Sequence, residues 1–430
     1  MLPPMRFVAT GDAFITRRLA SSPTLWSLAD IVRDADARFT NFEVLTPGDA
    51  FPNAVSGGTW AKAPEGVIGD LQTLGFNMLT WSNNHTLDYA YDGLANTQAA
   101  LDRSGIVHAG VGRNLAEAAA PRYLECAMGR VALIGICSTF HETAAAGQQR
   151  PDMQGRPGIN PLRFTTTYSV PREQLDALAR IAEECGVNDG MKMRIKAGFG
   201  KAPEAGTVVL GDHKFKEGPT GVTTEANKAD VARTLAGISE ARRQGDYVLV
   251  SLHAHEAMGT DKSAPAAFLV DFSRACIDAG AHAVIGHGPH VLRGIEMYKG
   301  RPIFHSLGNF IFHNETIPHL PQDFYDKFQM GLTENVADAI DKRSDTNTKG
   351  FAADPWAWKS VVARWNMVGD ATNLIELIPI ELGFGVERSR RGTPRLSEDE
   401  TILPHLAKLS EPFGTRIVID GGVGRVVLED

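Results

Sequence analysis

Five times in this chain a short apolar run stops at a residue that can ligate a cation or carry a proton, and no other feature restricts the fold as much. Phe7-Val-Ala runs into Gly11-Asp12, Ala37-Arg-Phe-Thr into Asn41-Phe-Glu43, and Asn77-Met-Leu-Thr-Trp into Ser82-Asn-Asn-His85. Asp246 to Leu252 runs into His253-Ala-His255, and Ala283-Val-Ile into Gly286-His-Gly-Pro-His290. Between Arg6 and Val111 the apolar runs alternate with helical periodicity, as βαβ units do. Open α/β sheets place their ligands at the carboxyl ends of strands, so the expectation is an α/β chain with one site assembled from these ends.

The rest of the chain divides by pattern. Leu124 to Met128 and Val131 to Ile136 read as a hairpin about Gly129-Arg130, and a second hairpin turns at Lys299-Gly300. Glu225 to Gln244 and Ala266 to Ala279 carry helical periods. Residues 140–224 loosen into Gly, Pro, Thr and charge with one helix near Glu173 to Cys185, which predicts an insertion in a catalytic domain spanning 1–312. Long insertions are often lids or binding loops. The lysines and arginine at Lys192, Arg194, Lys196, Lys201, Lys214 and Lys216 suit either a solvated face or an anchor for an anionic substrate. Residues 313–430 read as an extension packed on the core, with helices through Trp365 and strands at Asn373 to Ile380, Thr415 to Ile419 and near Val426.

A formal net charge of -8 argues against nucleic-acid binding, which needs a basic footprint. The start, Met1-Leu-Pro-Pro-Met-Arg, has no basic region leading into an apolar stretch, and no apolar run approaches the roughly 18 residues of a membrane span. The expectation is a cytoplasmic protein with no membrane partner. Cys126, Cys137, Cys185 and Cys276 are too scattered for a metal motif or a disulfide framework and are expected in the core.

Asp12, Glu43, Asn84, His253, His255 and His287 offer carboxylate, amide and imidazole donors, the set that suits one or two divalent ions such as Mn, Zn, Fe or Mg. Two ions a few Å apart would polarise a substrate oxygen and lower the pKa of bound water from about 15.7 toward 7, with a carboxylate such as Glu43 between them. His85 and Asp88 are three apart and share a face if a helical turn begins there, so Asp88 either orients His85 or acts as a base itself. His253 and His255 are expected on one face of a strand end. In Gly286-His-Gly-Pro-His290 the glycines allow a tight path, and His290 joins His85 and Asp88 as a candidate catalytic residue. His305 and His313 are expected to pack.

These blocks resemble the CapA-like family, associated with poly-γ-glutamate capsule synthesis and related to the metallophosphatases. The blocks Asn83-Asn-His85-Thr-Leu-Asp88 and Gly286-His-Gly-Pro-His290 are the specific ones; Gly300-Arg-Pro-Ile-Phe-His-Ser-Leu-Gly-Asn-Phe and Leu409-Ser-Glu-Pro-Phe-Gly-Thr add length to the match. The resemblance implies a four-layer α/β/β/α metallophosphatase-like fold, metal at Asp12, Glu43, Asn84 and the later histidines, and His85 near the reacting group. It departs at Asp12-Ala-Phe14, where true metallophosphoesterases carry Asp-x-His, and it lacks the N-terminal anchor of capsule-export members. A cytoplasmic enzyme acting on a peptide or γ-glutamyl amide is therefore the expectation, with hydrolysis its simplest reaction. Epimerisation with Asp88 and His290 as the acid/base pair, phosphoester hydrolysis, and a metal-binding scaffold without turnover are the alternatives.

Overall fold

The strand Met5–Phe14 forms because Phe7, Val8 and Ala9 bury on both faces, and it is the axis about which the larger sheet is built. On one side it pairs in parallel with Ala37–Phe42, then Met78–Thr80, then Val107–Ala109, with the helices Pro23–Arg33, Gly66–Leu74 and Ala90–Ser104 as crossovers. The computed structural model describes residues 4–49, 52–56 and 58–428. A second sheet runs in the order Leu292–Tyr298, Arg301–Leu307, Ala283–His287, Tyr247–His253, Gly129–Cys137 and Arg122–Cys126. Both expected hairpins are present in it.

Strand side chains alternate between faces, and the alternation sorts the core into three clusters. Met5, Phe7 and Ala9 join Leu133, Leu249 and Ile285 in a cluster between the sheets. Val8 faces the other way, toward Leu28, Val67 and Leu101 of the crossover helices. Ile134, Val250 and Val284 pack on the helices Lys228–Gln244 and Ala267–Asp278 through Ile238, Phe268 and Phe272. Burying each such Leu, Ile or Phe contributes about 1.5–3 kcal/mol.

The C-terminal residues depart from the reading above at one place. Trp365 is in a strand, Lys359–Val368, which pairs antiparallel with Met5–Phe14 in the register Phe7 to Trp365. The helical stretch ends with the turn Pro355–Trp358, and the stacked Phe7 and Trp365 rings, 5.0 Å apart, show how packing on the edge of the sheet favours a strand after it. Ala371–Glu381, Val423–Val426 and Ile417–Asp420 extend the same sheet, so residues 313–430 supply strands to it directly. The helices Gln322–Lys327 and Val336–Ser344 precede them.

Within 140–224, Thr207–Leu210, His213–Glu217, Phe164–Val170 and Gly221–Ala226 form a small separate sheet beside the helices Arg172–Glu184 and Asp189–Lys196. Cys137 and Cys276 are buried as expected, but Cys185 is exposed, because it follows the last turn of a helix that buries only Leu175 and Ala182. Among the described residues no helix is long and apolar enough to cross a membrane.

Candidate metal and proton-transfer site

The carboxyl ends of the two sheets meet, and the polar residues beyond their apolar runs meet with them. Asp12 can sit there because Gly11 has no side chain: a Cβ on it would lie 1.8 Å from the Gly308 carbonyl oxygen. The Asp12 backbone N–H donates to that same oxygen at 2.9 Å. Its carboxylate accepts from Asn41 Nδ2 at 2.8 Å and from the Gly288 N–H at 2.9 Å. Gly288 reaches this position with φ +118°, and His290 two residues on also holds a positive φ of 60°, an uncommon conformation for a side-chain-bearing residue.

His287 Nε2 shares a 2.7 Å hydrogen bond with Ser251 Oγ, which turns Nδ1 toward Asp12 Oδ1 at 3.4 Å. His253 Nδ1 lies 3.6 Å from the same oxygen and 2.9 Å from His287 Nδ1. The opposite nitrogen of His253 is 2.9 Å from Asn84 Oδ1, 3.2 Å from His255 Nε2 and 3.6 Å from Glu43 Oε1. His253 thus faces two donor groups, Asp12 with His287 and Glu43 with His255; a third group joins Asp12, Glu43 and His290.

Glu43 is the informative residue. It is fully buried, neither carboxylate oxygen has a hydrogen-bond partner, and Oε1 is ringed by Nε2 of His253, His290 and His85 at 3.6, 3.8 and 3.9 Å. Those spacings are too long for hydrogen bonds. Glu43 instead shares donor groups with His253 and His255, and with Asp12 and His290, whose ligand atoms all lie within 4.8 Å of one another, a spacing that donors of a divalent ion can have. An orphaned buried carboxylate among imidazoles fits a divalent metal.

Burial is the largest influence on the ionisable groups of this cluster. Burial, then the neighbouring Asp12 and Asp88, raises the Glu43 carboxyl well above its usual range. Burial pushes Asp12 up too, but the His253 and His287 imidazoles outweigh it and hold Asp12 well below the ordinary value. Burial pushes His253 down to about 4 and also lowers His255 and His290, leaving neutral rings suited to ligation.

His85 and Asp88 meet as the three-residue spacing predicts, with Nδ1 to Oδ2 at 2.7 Å, though on a run of turns that precedes the helix Ala90–Ser104. Asp88 also accepts the Ala61 N–H at 2.8 Å. His290 Nδ1 is held by Asn309 Oδ1 at 2.9 Å, and Asn309 donates to the Ala357 carbonyl at 2.8 Å. His255 lies beyond the end of the strand Tyr247–His253, and the Thr139 hydroxyl holds its backbone N–H at 2.8 Å.

One cavity of about 820 Å³ opens onto this centre. Asn84, His85, His255 and His290 line it; Asp12, Glu43, Asp88, His253 and His287 lie behind them. Phe14, in the place of the phosphoesterase histidine, packs edge-on against His85 at 5.2 Å. Phe140, His141, Thr143 and Ala144 are the part of the insertion that reaches the wall, and none of the basic residues from Lys192 to Lys216 does. Lys192 and Lys216 instead pair with Glu183 and Glu204 on the surface, which corrects the anchor reading and supports the solvated-face reading for both. Sequence reading also missed Asn41, Ser251 and Asn309 as partners of the centre. Asn309 had the common signal, a polar residue just after the apolar strand Arg301–Leu307.

Fold and site together define a mixed α/β protein whose strand ends gather carboxylates and imidazoles behind the wall of a cavity of about 820 Å³. The chain belongs to the bacterial capsule synthesis protein PGA_cap family, whose model matches residues 6–314. The protein y4sH of Sinorhizobium fredii (strain NBRC 101917 / NGR234) is 36% identical over 438 residues, covering 98% of this chain and 92% of its own. The capsule biosynthesis protein CapA of Bacillus anthracis is 26% identical over 251 residues, 58% of this chain and 44% of that protein. The PGA biosynthesis protein CapA of Bacillus subtilis is 45% identical over 75 residues, 17% of this chain and 19% of that protein.

Proposed function

We propose that this protein is a metal-dependent cytoplasmic enzyme acting on an amide bond of a peptide or γ-glutamyl substrate, with hydrolysis as its reaction. The observation that carries the reading is the unpartnered Glu43 carboxylate, surrounded by imidazoles and set behind a cavity wall that carries two oriented histidines. The three apolar clusters support the four-layer α/β/β/α arrangement of the metallophosphatase-like fold. The capsule biosynthesis names of the two CapA relatives support an amide-linked substrate.

Asp12, Glu43, Asn84, His253, His255 and His287 would hold one or two divalent ions, which supply Lewis acidity toward a carbonyl oxygen. The chain's own groups do the remaining work. Asp88 accepts from His85 Nδ1, fixing the ring so that Nε2 faces the reacting group as proton donor or acceptor. Asn309 does the same for His290, whose Nε2 also faces inward. The Phe312 and Phe351 rings, 5.1 and 5.0 Å from His290, keep that side poor in water. Asp88 is absent from the cavity wall, which favours a positioning role over direct contact with a substrate carbon. That favours hydrolysis over epimerisation with Asp88 and His290 as the pair. Phe14 against His85 disfavours a phosphoesterase.

The test is incubation of the metal-loaded protein with γ-glutamyl oligomers and linear peptides in deuterated water, read by mass spectrometry. Chain cleavage, lost in His85→Ala and His290→Ala, is the expected result. Deuterium uptake without cleavage would make it an epimerase, release of phosphate from generic esters a phosphoesterase, and no change in any substrate a scaffold.

A further inference from the structure

The wall of the cavity is cationic in a chain whose formal net charge is -8, although carboxylates lie behind its histidines. Arg343, Lys262, Lys327 and Lys349 all reach this wall, and its one carboxylate, Glu315, is already paired with Arg391. Lys349 pairs with Asp345 at 2.8 Å. Among the described residues, Arg343, Lys262 and Lys327 form no ion pair, although most arginines of the chain do. Arg343 is half-buried in the last turn of the helix Val336–Ser344, yet its guanidinium turns away from the helix carbonyls. Its one hydrogen bond goes to Thr59 Oγ1 at 2.6 Å, with the Phe324 ring 5.7 Å away. A half-buried guanidinium with one side-chain partner keeps donors free for an anion in the cavity, and its planar fork matches a carboxylate.

Thr59 belongs to the same short segment that Asp88 holds through the Ala54 and Ala61 N–H groups at 2.7 and 2.8 Å, so Arg343 is tied to the His85–Asp88 pair. Phe351 packs 5.0 Å from the His290 ring and 5.5 Å from Lys262 Nζ, so Lys262 and His290 share one aromatic neighbour. The helix carrying Arg343 and the segment carrying Phe351 lie beyond residues 6–314, the part shared with the family model.

We propose that Arg343, on a cavity wall that also carries Lys262, Lys327 and the Phe324 ring, is a subsite for a carboxylate of the substrate. The inference rests on the reading of this cavity as a substrate site, but it is tested by binding alone. The substrate is then an amide that carries a free carboxylate next to an apolar group.

The experiment measures binding of 4-phenylbutyrate, its amide, and 3-phenylpropylphosphonate to the metal-loaded protein by ligand-observed NMR. The acid is expected to bind about tenfold or more tighter than the amide, the size of a charge-assisted hydrogen-bond pair. Arg343→Gln abolishes that difference and leaves binding of the amide unchanged. Lys327→Gln, at an exposed position that does not threaten folding, weakens the acid about two- to threefold and makes its binding less sensitive to salt. Equal binding of acid and amide by the wild type overturns the subsite, as does acid binding that survives Arg343→Gln, which would put the carboxylate on the metal centre. A phosphonate that binds tenfold tighter than the acid overturns the carboxylate assignment in favour of a phosphoryl group. Absence of turnover in the preceding assay leaves all of these outcomes readable.

Discussion

Two buried glutamates sit in this molecule beside buried histidines, and only one of them looks like part of a reaction. Glu296 accepts from Arg274 Nε at 2.8 Å and lies 3.3 Å from His305 Nε2, and the His305 ring stacks on Phe413 at 4.4 Å. Burial raises the Glu296 carboxyl, but His305 and Arg274 outweigh it and bring it below its ordinary value. Glu43 has imidazoles at similar depth, no arginine and no hydrogen bond, and its carboxyl is raised. The sets differ in completeness: the Glu296 cluster is satisfied by its own residues, and the Glu43 carboxylate has no hydrogen-bond partner among the residues around it.

The sharpest break in this comparison is metal content. His287→Ala and Asp12→Asn are expected to lose nearly all bound divalent metal by elemental analysis, and Glu296→Gln to retain it in full. Equal retention in all three would remove the distinction. Stability should run the other way. Glu296→Gln keeps one acceptor oxygen but removes the charge that pairs Arg274 and puts an NH2 in place of the second oxygen, and is expected to destabilise the fold by about 1–3 kcal/mol in urea unfolding. Glu43→Gln removes a buried carboxyl that has no hydrogen-bond partner, so in chelated protein it is expected to be neutral or stabilising by about 1 kcal/mol, while the gain in melting temperature on adding metal disappears. A chelated Glu43→Gln protein that unfolds more easily than wild type would mean that the carboxylate has a structural partner.

The smallest effect is a pH dependence. The folded Glu296 carboxyl lies below its ordinary 4.5, so the stability it contributes is present above that value and is lost as pH falls through the folded value. The melting-temperature gap between wild type and Glu296→Gln should therefore narrow as pH is lowered from neutral toward 4 and below. A gap that widens on acidification would contradict the sign.

Much of the centre was legible because each of its residues follows an apolar run, and strand ends are where such folds concentrate chemistry. The pairing of His85 with Asp88 followed from spacing alone. His253 and His255 converge for a different reason than the expected shared strand face, since His255 lies past the strand and Thr139 holds its backbone. Asn309 was overlooked because its function is to turn His290, a role without a sequence signature of its own. The basic residues of the insertion drew attention by their density, yet the cations at the cavity are Arg343, Lys262, Lys327 and Lys349, dispersed over some ninety positions.

By itself, then, the sequence determined an α/β chain, the order of its apolar runs, and the residue types waiting at their ends, because alternation and local spacing are properties of neighbours in the chain. Three things were left to the tertiary structure: the pairing of Lys359–Val368 with the first strand, the lack of a hydrogen-bond partner for Glu43 among the described residues, and the gathering of Arg343, Lys262, Lys327 and Lys349 on the wall of one cavity. Each depends on which distant segments exclude water from one another. Pairing partners, unsatisfied groups and cavity charge exist only once two sheets, their helices and the C-terminal segment have closed around the same space.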